Sequence, residues 1–338
     1  MVSQMARDDT IIQSYTLAKT QRPPSAQQRA KQEGNISTLP NHASMATQKT
    51  TGITSGMKGS PPFLKWPGGK RRVVPHLLPH LNLPVKRLVE PFCGGCALSL
   101  AVADQAESFW LNDLNADLIN LLQRIKDDPQ TIIQKGKAYF TPDKNDEAVY
   151  YRLRDRFNAS DVQLARATLF LYLNRHGYNG LCRYNAGGGF NVPFGRYASP
   201  HFPETEIKAA APTLSCAEIT ALDFEEVMDA CGPDDVVYCD PPYVPLSVTA
   251  SFTSYSAGGF GLREQERLAA AAERAAARGV LVVVSNHDTP LTRELYKSTY
   301  IVCIESIDVR RNISCDGDNR GLVKELIAAY SPLRQISR

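Results

Sequence analysis

Short apolar runs alternate with amphipathic stretches along most of the chain, and this alternation predicts an α/β fold. Apolar runs are typical of buried parallel strands, whereas apolar positions three and four residues apart indicate helices. Strands are predicted at 87–92, 108–112, 236–239 and 280–284, with a closing β pair at 301–309 and 322–330. Helices are predicted at 73–81, 97–103, 116–125 and 262–278. This order favours a Rossmann-like sheet with helices on both faces.

The alternation lapses after residue 127 and resumes at Glu218. Two helices are predicted in between, at 147–157 and from a Ser160–Gln163 capping box to Asn174. The glycines, asparagines and aromatic residues of 175–197 then favour a two-stranded hairpin that turns at Gly187-Gly188. We therefore predict a mainly helical subdomain at 127–214, inserted into a catalytic domain at 61–126 and 215–332, with a tail at 333–338.

Composition indicates a soluble globular protein with a disordered start. The 338 residues are 22% charged and 43% hydrophobic, and no apolar stretch is long enough to span a membrane. Residues 1–60 are rich in Ser, Thr, Gln, Asn and Pro, which predicts disorder because they bury too little apolar surface to offset the ordering entropy. No secretory signal is recognisable, so we expect a cytoplasmic protein.

The eight cysteines are expected to be reduced in that compartment. Cys93 and Cys96 form a C-x-x-C pair, but no second pair and no suitably spaced histidines complete a zinc site, so no metal is expected. A redox role stays open for the pair, and a role as small buried side chains is the simpler interpretation.

The charge distribution is more informative than the net charge of +3. Residues 1–60 carry seven Lys or Arg and three acids, which leaves −1 for the remainder of the chain. Residues 162–203 nevertheless hold four arginines and no Asp or Glu. A solvated face is the simplest explanation of such a run, but its aromatic residues and glycines favour a local nucleic-acid surface.

The tetrapeptide Asp240-Pro241-Pro242-Tyr243 follows a predicted strand and so is expected at the carboxyl edge of the sheet, where open α/β folds bind ligands. An exocyclic amine on a nucleobase is a poor nucleophile because its lone pair is delocalised into the ring. A carboxylate and a backbone carbonyl that accept its two N–H bonds would free the lone pair for attack on a methyl donor. The tyrosine would stack on the base. A strand that ends in a proline turn with a surface tyrosine is the alternative.

Two further segments suggest a nucleotide-binding unit. Cys93-Gly94-Gly95-Cys96 joins a predicted strand to a predicted helix, and Asp113 lies about 20 residues further on, where such folds hold a ribose hydroxyl. Asp113 also precedes a helix, so a role as its N-cap is equally compatible. Upstream, Lys65-Trp66-Pro67-Gly68-Gly69-Lys70 offers charge, a stacking face and close backbone approach, although it is not a Walker motif.

In this order, these three segments resemble the α-group amino-methyltransferases. Residues 174–185, 190–197 and 285–289 are in addition similar to segments of the Dam-type DNA adenine methyltransferases, so that the resemblance covers about residues 61–332. It implies a Rossmann-like S-adenosylmethionine-dependent enzyme that methylates the N6 of adenine in duplex GATC after base flipping. It also implies a nucleoid-associated monomer that needs no metal.

The resemblance implies site residues as well. The catalytic residues would be Asp240, Pro241, Pro242 and Tyr243. The residues that bind S-adenosylmethionine would be Trp66, Lys70, Phe92, Gly94, Asp113 and Asp240. The residues that contact DNA would be Lys65, Tyr178, Asn179, Leu181, Arg183, Pro193 and Arg196. His287 is expected to be a structural loop residue.

Two departures from the family pattern stand out. Cys96 occupies the second glycine position of the family's Phe-x-Gly-x-Gly turn, where its side chain would crowd the cofactor or stiffen the turn. Asp316 and Asp318 make the loop at 314–322 more acidic than is usual, which would weaken phosphate contacts. The alternatives are an amine methyltransferase that acts on RNA or protein glutamine, and a catalytically silent DNA-binding relative.

Overall fold

The computed structural model describes residues 59–244, 259–310 and 322–332. The predicted disorder of residues 1–60 lies outside these residues except for the last two positions. The acidic loop with Asp316 and Asp318 and the predicted tail at 333–338 also lie outside them, apart from the end of that loop at Leu322.

Seven strands form one sheet within the described segments. They are β1 Val85–Glu90, β2 Ala106–Asn112, β3 Ala217–Thr220, β4 Asp235–Cys239, β5 Leu281–His287, β6 Ile301–Arg310 and β7 Leu322–Tyr330. Their order is β3-β2-β1-β4-β5-β7-β6, with β7 antiparallel to both β5 and β6 and the other neighbours parallel. The predicted Rossmann-like fold is confirmed. The chain reverses its direction across the sheet between β1 and β4, which is where such sheets leave a crevice at their carboxyl ends.

Helices cover both faces of the sheet. They are α1 Val74–Leu77, α2 Ala97–Ala101, α3 Ala116–Asp127, α4 Pro129–Lys137, α5 Glu147–Ala159, α6 Gln163–His176, α7 Glu204–Ser215, α8 Phe224–Asp229, α9 Leu262–Ala277 and α10 Pro290–Leu295. Alternate strand residues point to opposite faces and divide the core into two apolar clusters. One cluster contains Leu88, Tyr238 and the buried residues of α3 and α6, whereas the other contains Val89, Val237 and the buried alanines of α9.

Two local predictions are wrong for identifiable reasons. The helix predicted at 73–81 breaks into the short α1 and a 3-10 turn at Leu78–His80. Pro79 has no N–H with which to continue an α-helix, which accounts for the break. The predicted capping box at Ser160 is absent, because α6 begins one residue after Val162 and the Ser160 hydroxyl accepts a bond from the Val162 N–H instead (3.3 Å).

The predicted hairpin is present as an irregular antiparallel ribbon, residues 177–197, which we call the ribbon. Its two sides meet at the bridges Gly177–Phe194 and Tyr184–Phe190. The turn closes where the Gly188 N–H donates to the Asn185 carbonyl and the Asn185 N–H donates to the Gly189 carbonyl, both at 2.9 Å. The buried side chain of Phe190 fixes the ribbon to the core that contains α6.

Candidate active site

A cavity of about 1080 Å³ opens at the carboxyl ends of β1 and β4, in the crevice that the strand order creates. Its lining includes every residue predicted for catalysis or cofactor binding, namely Trp66, Lys70, Phe92, Gly94, Asp113, Asp240, Pro241, Pro242 and Tyr243. The predicted catalytic and cofactor-binding residues lie up to 177 residues apart in sequence, from Trp66 to Tyr243. The fold brings them together around one cavity.

Asp240 lies directly after the fully buried β4 and carries a carboxylate into the cavity. Its Oδ1 is 3.0 Å from the Lys70 Nζ and accepts a hydrogen bond from the Ser285 hydroxyl at 3.1 Å. Burial raises the pKa of the Asp240 carboxyl, and Lys70 and Ser285 oppose that rise. The Pro242 carbonyl accepts from the Gln265 amide (2.8 Å), and Pro241 lines the cavity.

Tyr243 is held from three sides. Its hydroxyl donates to the Glu325 carboxylate at 3.0 Å, and its ring meets the His287 ring edge-on at 4.9 Å between centroids. The Lys70 ammonium lies 4.3 Å from the centre of the ring, at a distance typical of a cation–π contact. His287 is the buried last residue of β5, so its predicted place in a loop is wrong.

The glycine turn after β1 depends on the absence of a side chain at Gly94. Its φ is +46°, a conformation that favours glycine. A Cβ there would lie 2.6 Å from the indole Nε1 of Trp66, so the turn and the Trp66 ring are fitted to each other. The lysine–tryptophan–glycine–glycine segment and the glycine turn therefore form one wall of the cavity.

Asp113 reinforces the same turn from the end of β2. Its carboxylate accepts hydrogen bonds from the N–H groups of Gly94 (3.1 Å) and Asn115 (2.9 Å). The N-cap of α3 is Asn115, whose side chain accepts from Asp117 and Leu118, so the alternative role of Asp113 as a cap is wrong. Burial raises the pKa of Asp113, whereas the two backbone donors act against that rise.

Cys96 has an unusual backbone but does not crowd the cavity. Its φ is +55°, and its side chain is fully buried in the apolar core. Its N–H donates to the Cys93 carbonyl at 2.7 Å, which closes the turn. The predicted crowding of the cofactor site is therefore wrong. Burial raises the pKa of the Cys93 thiol well above its usual range, which disfavours a reactive thiolate and supports a packing role.

Glu90, at the end of β1, is a buried carboxyl that lines the cavity and was not predicted. It accepts hydrogen bonds from both the N–H (3.0 Å) and the hydroxyl of Ser99, which fastens α2 to β1. Burial raises the pKa of Glu90 to about 7, partly offset by the two bonds from Ser99, and the nearby Asp240 charge adds to the rise.

Three phenylalanines that line the cavity form an aromatic wall. The rings of Phe92 and Phe224 stack at 5.2 Å, and Phe260 meets them at 5.5 and 5.7 Å. Only Phe92 belongs to the predicted set. Phe224 and Phe260 come from segments in which nothing local indicated a ligand, because an aromatic residue beside a helix start is usually a core residue.

The last turn of α6, which leads into the ribbon, is bonded to the segment that lines the cavity, and its Asn174 amide also donates to the Gly180 carbonyl of the ribbon at 3.3 Å. The Lys65 N–H donates to the Asn174 side chain at 3.0 Å, and the Asn174 amide donates back to the Lys65 carbonyl at 2.6 Å. The Lys65 ammonium lies 3.9 Å from the centre of the Tyr197 ring, and burial and the nearby Arg175 lower its pKa. The Tyr197 hydroxyl accepts from the Asn179 N–H at 2.8 Å.

The other residues predicted to contact DNA lie along the ribbon and do not line the cavity. Tyr178, Arg183, Pro193 and Arg196 are exposed, whereas Leu181 is half-buried against the core. Arg183 donates to the Asn191 side chain (2.8 Å) and carbonyl (3.2 Å). Arg196 instead pairs with Glu147 of α5 at 3.0 Å.

Comparison with known proteins assigns the chain to a family. Residues 66–313 match the model of the D12 class of N6 adenine-specific DNA methyltransferases. The chain belongs to this class of methyltransferase.

Similar proteins are known from several bacteria. A DNA adenine methylase from Vibrio cholerae is 44% identical over 277 residues, which are 82% of this chain and 98% of that protein. The corresponding enzyme of Escherichia coli K12 is 44% identical over 276 residues, 82% of this chain and 97% of the relative. An rRNA methyltransferase from Streptomyces viridochromogenes matches 78% of this chain and 86% of that chain, with a TM-score of 0.35 and 13% identity, too low to bear on the assignment.

The predicted enzyme class is therefore confirmed: the protein is a DNA adenine-N6 methyltransferase, and its family and fold imply S-adenosylmethionine as the methyl donor. The class favours DNA over the RNA and glutamine substrates that the short motif alone left open. Across residues 59–244, 259–310 and 322–332, no helix has the length and apolarity to cross a bilayer. Those same residues contain no cluster of His, Cys, Asp or Glu arranged to hold a metal ion.

Three residues of this methyltransferase escaped the sequence prediction although they line the cavity or bond to Asp240: Ser285, Glu90 and Glu325. Ser285 was noted only within a motif, and nothing in its neighbours indicated a bond to Asp240 across the sheet. Glu325 directly precedes the apolar second half of β7 and is only 6% exposed. Its position beside a run of apolar residues was the available signal in the sequence. A charged residue is rarely buried without a partner, so this position could have indicated a buried, bonded carboxylate.

Proposed function

We propose that this methyltransferase transfers a methyl group from S-adenosylmethionine to the N6 of adenine in duplex GATC, after that adenine has flipped out of the helix. The observation that carries the proposal is the position of Asp240. Its carboxylate lies in one cavity with the glycine turn, the aromatic wall and Tyr243. Lys65, next to the cavity-lining Trp66, contacts the Tyr197 ring of the ribbon, and Asn174 of α6 donates to both the Lys65 carbonyl and the Gly180 carbonyl of the ribbon.

The residues present suit S-adenosylmethionine. Asp113 offers a carboxylate to the ribose hydroxyls, and the aromatic wall of Phe92, Phe224 and Phe260 offers a stacking surface to the adenine ring. Besides Glu90, four acidic side chains line the cavity against three basic ones, which favours a cation there: Asp113, Asp240, Glu264 and Glu325 against Lys70, Arg71 and Arg72. When bound, S-adenosylmethionine supplies a methyl group activated by its sulfonium charge.

Asp240 and the Pro241 carbonyl are proposed to accept the two N–H bonds of the target amine. Both acceptors gain strength as positive charge develops on the nitrogen, so they stabilise the transition state more than the ground state. Lys70 supports this role because its charge favours the ionised, acceptor-only form of Asp240. No strong base is required, since the methylated nitrogen loses its proton readily to water or to Asp240.

Base flipping is proposed because the N6 amine of a paired adenine lies inside the duplex and cannot reach a carboxylate that is largely shielded from solvent, as that of Asp240 is. Tyr243 supplies a ring against which the flipped adenine stacks, in a position fixed by three contacts. Tyr178 is 47% exposed on the ribbon, where its ring is available to fill the space that the adenine leaves. Unstacking costs a few kcal/mol, which stacking on these two rings would help to offset.

Specificity for GATC is assigned to the ribbon and to Lys65. The two bonds from Arg183 to Asn191 hold its guanidinium in place, while its remaining N–H donors suit the O6 and N7 acceptors of guanine. Leu181 and Pro193 offer apolar contact to a thymine methyl group.

Asn179 and Arg196 would position the DNA backbone. The chain is proposed to act as a monomer on one duplex site.

A digestion test decides the proposal. A plasmid is propagated with this protein in a host that lacks adenine methylation, and is then cut with one nuclease that GATC methylation blocks and one that requires it. Resistance to the first and cleavage by the second would establish both the activity and the target. The matched control is Asp240→Ala, which should leave the plasmid unmethylated while the purified variant still binds GATC duplexes. A soluble wild-type protein that leaves the plasmid unmethylated would overturn the proposal.

A further inference from the structure

The antiparallel pair β5 and β7 places two ionisable side chains next to the catalytic tyrosine. His287 and Glu325 are direct register partners in this pair, so their side chains leave the sheet on the same face. Glu325 accepts the hydrogen bond of the Tyr243 hydroxyl at 3.0 Å, and the His287 ring meets the Tyr243 ring edge-on. His287 is itself bonded through Nδ1 to the Val244 carbonyl, one residue beyond Tyr243.

These contacts restrict a ring that would otherwise rotate. A tyrosine side chain has two main torsions, and a hydrogen bond at its far end limits both of them. Glu325 is suited to this task because an ionised carboxylate only accepts hydrogen bonds, so the phenol must act as the donor. Glu325 is 6% exposed, and burying a carboxylate is unfavourable unless such bonds compensate it.

We propose that Glu325 is a positioning residue for methyl transfer: it fixes the Tyr243 ring, through the phenolic hydroxyl, in the orientation that stacks on the flipped adenine. This inference rests on the proposed function, since it assigns Tyr243 the stacking role. Glu325 acts through Tyr243 and does not itself hold the donor or the amine. It adds to the motif a partner on β7, 82 residues away in sequence.

The test compares Glu325→Ala, Glu325→Asp and Glu325→Gln with Tyr243→Phe and with the double variants, in single-turnover methylation of a GATC duplex. Loss of a hydrogen bond to a charged group should slow the Ala, Asp and Phe variants about tenfold. Gln keeps an acceptor oxygen at the same distance and should stay within about threefold of wild type. The double variant Tyr243→Phe with Glu325→Ala should be no slower than the slower single variant, because the two residues share one interaction.

A spectroscopic readout separates positioning from general stability. With 2-aminopurine in place of the target adenine, Glu325→Ala and Tyr243→Phe should give the same altered emission, whereas Glu325→Gln should give the wild-type emission. Glu305→Gln on the neighbouring strand β6, where the carboxylate bonds to His80, is the control for loss of a carboxylate from this part of the sheet, and it should match wild type in rate and emission. Glu325→Asp preserves the charge and serves as the test if the Ala variant does not fold.

Two outcomes would overturn the inference while leaving the proposed function intact. One is a further tenfold loss when Glu325→Ala or Glu325→Asp is added to Tyr243→Phe, which would mean that Glu325 acts by another route. The other is a raised KM for S-adenosylmethionine with an unchanged rate at saturation, which would place Glu325 in the donor site. Failure of the wild-type protein to methylate the duplex would instead reject the proposed function itself.

Discussion

Lys70 and Asp240 form an ion pair inside the cavity, with Nζ and Oδ1 3.0 Å apart and side chains that are 8% and 21% exposed. The same ammonium donates to the Gly68 carbonyl at 3.0 Å and faces the Tyr243 ring. Lys70 therefore connects the glycine-rich segment with the carboxylate and the ring that are proposed to hold and stack on the target base. Because the pair is largely shielded from water, its effect on the protonation of Asp240 is larger than that of a surface pair.

Removing this lysine should shift the pH dependence of methylation. Lys70 opposes the rise in the pKa of Asp240 that burial causes, so Lys70→Met should let that pKa rise further. In the proposed mechanism methyl transfer needs the ionised carboxylate, so the acidic limb of the rate profile should move to higher pH. Single-turnover rates across a pH series, at saturating DNA and methyl donor, measure the shift. Lys70→Arg keeps the charge and serves as the control, and an unmoved acidic limb in the Met variant would contradict the role.

Glu90 should make the protein less stable as the pH rises from 4.5 to about 7. Its pKa rises from 4.5 to about 7 on folding, so between these values the folded state binds more protons than the unfolded state. The free energy of unfolding must then fall as the pH increases across that window, by on the order of 3 kcal/mol. Glu90→Gln lacks this dependence and should gain stability relative to wild type between about pH 5 and about pH 8.

Urea denaturation of both proteins at the two ends of that range provides the measurement for Glu90. The exposed Glu107 on β2 offers a matched control, because Glu107→Gln removes a carboxylate that folding leaves in water. Its stability difference from wild type should stay nearly constant with pH. If the difference in the free energy of unfolding between Glu90→Gln and wild type is equally independent of pH, Glu90 does not have the raised pKa that its burial implies.

Gly94 and Gly188 should respond differently to the same substitution. Both have positive φ values, +46° and +76°, so alanine at either position costs roughly 1–2 kcal/mol of stability. At Gly188 an added Cβ meets no atom within 4 Å, whereas at Gly94 it would lie 2.6 Å from the Trp66 Nε1. Gly94→Ala should therefore also displace Trp66 and weaken binding of S-adenosylmethionine by about tenfold or more, which calorimetric titration can measure. Equal affinities in the two variants would refute the fit between Gly94 and Trp66.

The sequence predicted most strands because their apolar runs are easily recognised, although β5 continues beyond its apolar run to His287. Asp240 illustrates this, since the run before it becomes β4 and its position after the strand follows directly. What could not be predicted are contacts that depend on which strands are neighbours. Glu325 meets Tyr243 only because β7 inserts antiparallel beside β5, and that order is not encoded in any local pattern.

Other differences arose where two local rules compete. Asp113 and Asn115 both have side chains suited to an N-cap, and only the backbone geometry before α3 decides that Asn115 caps while Asp113 bonds to Gly94. Cys96 was expected beside the cofactor because the sequence shows which residue follows the glycines but not the direction in which its side chain points. The left-handed backbone at Cys96 turns its side chain into the core.

The two exposed arginines of the ribbon should affect DNA binding in different ways. Arg183 is held by Asn191 and is proposed to read a guanine, so Arg183→Gln should cost about 1–3 kcal/mol on GATC duplexes and little on a scrambled duplex. Arg196 is proposed to contact the backbone, so Arg196→Gln should weaken binding to both duplexes equally. It should also reduce the slope of log K against log salt by about 1. Fluorescence anisotropy with both duplexes over a salt series measures each quantity.

Glu147 provides an internal check on the role of Arg196, because DNA phosphate must compete with this carboxylate for the guanidinium. The pair is 3.0 Å apart, with side chains that are 75% and 46% exposed, so breaking it costs little. Glu147→Gln should thus tighten binding to both duplexes by a few-fold, and this gain should vanish when Arg196→Gln is also present. If the gain persists in the double variant, Glu147 acts by general repulsion of DNA, and Arg196 is not the group that it restrains.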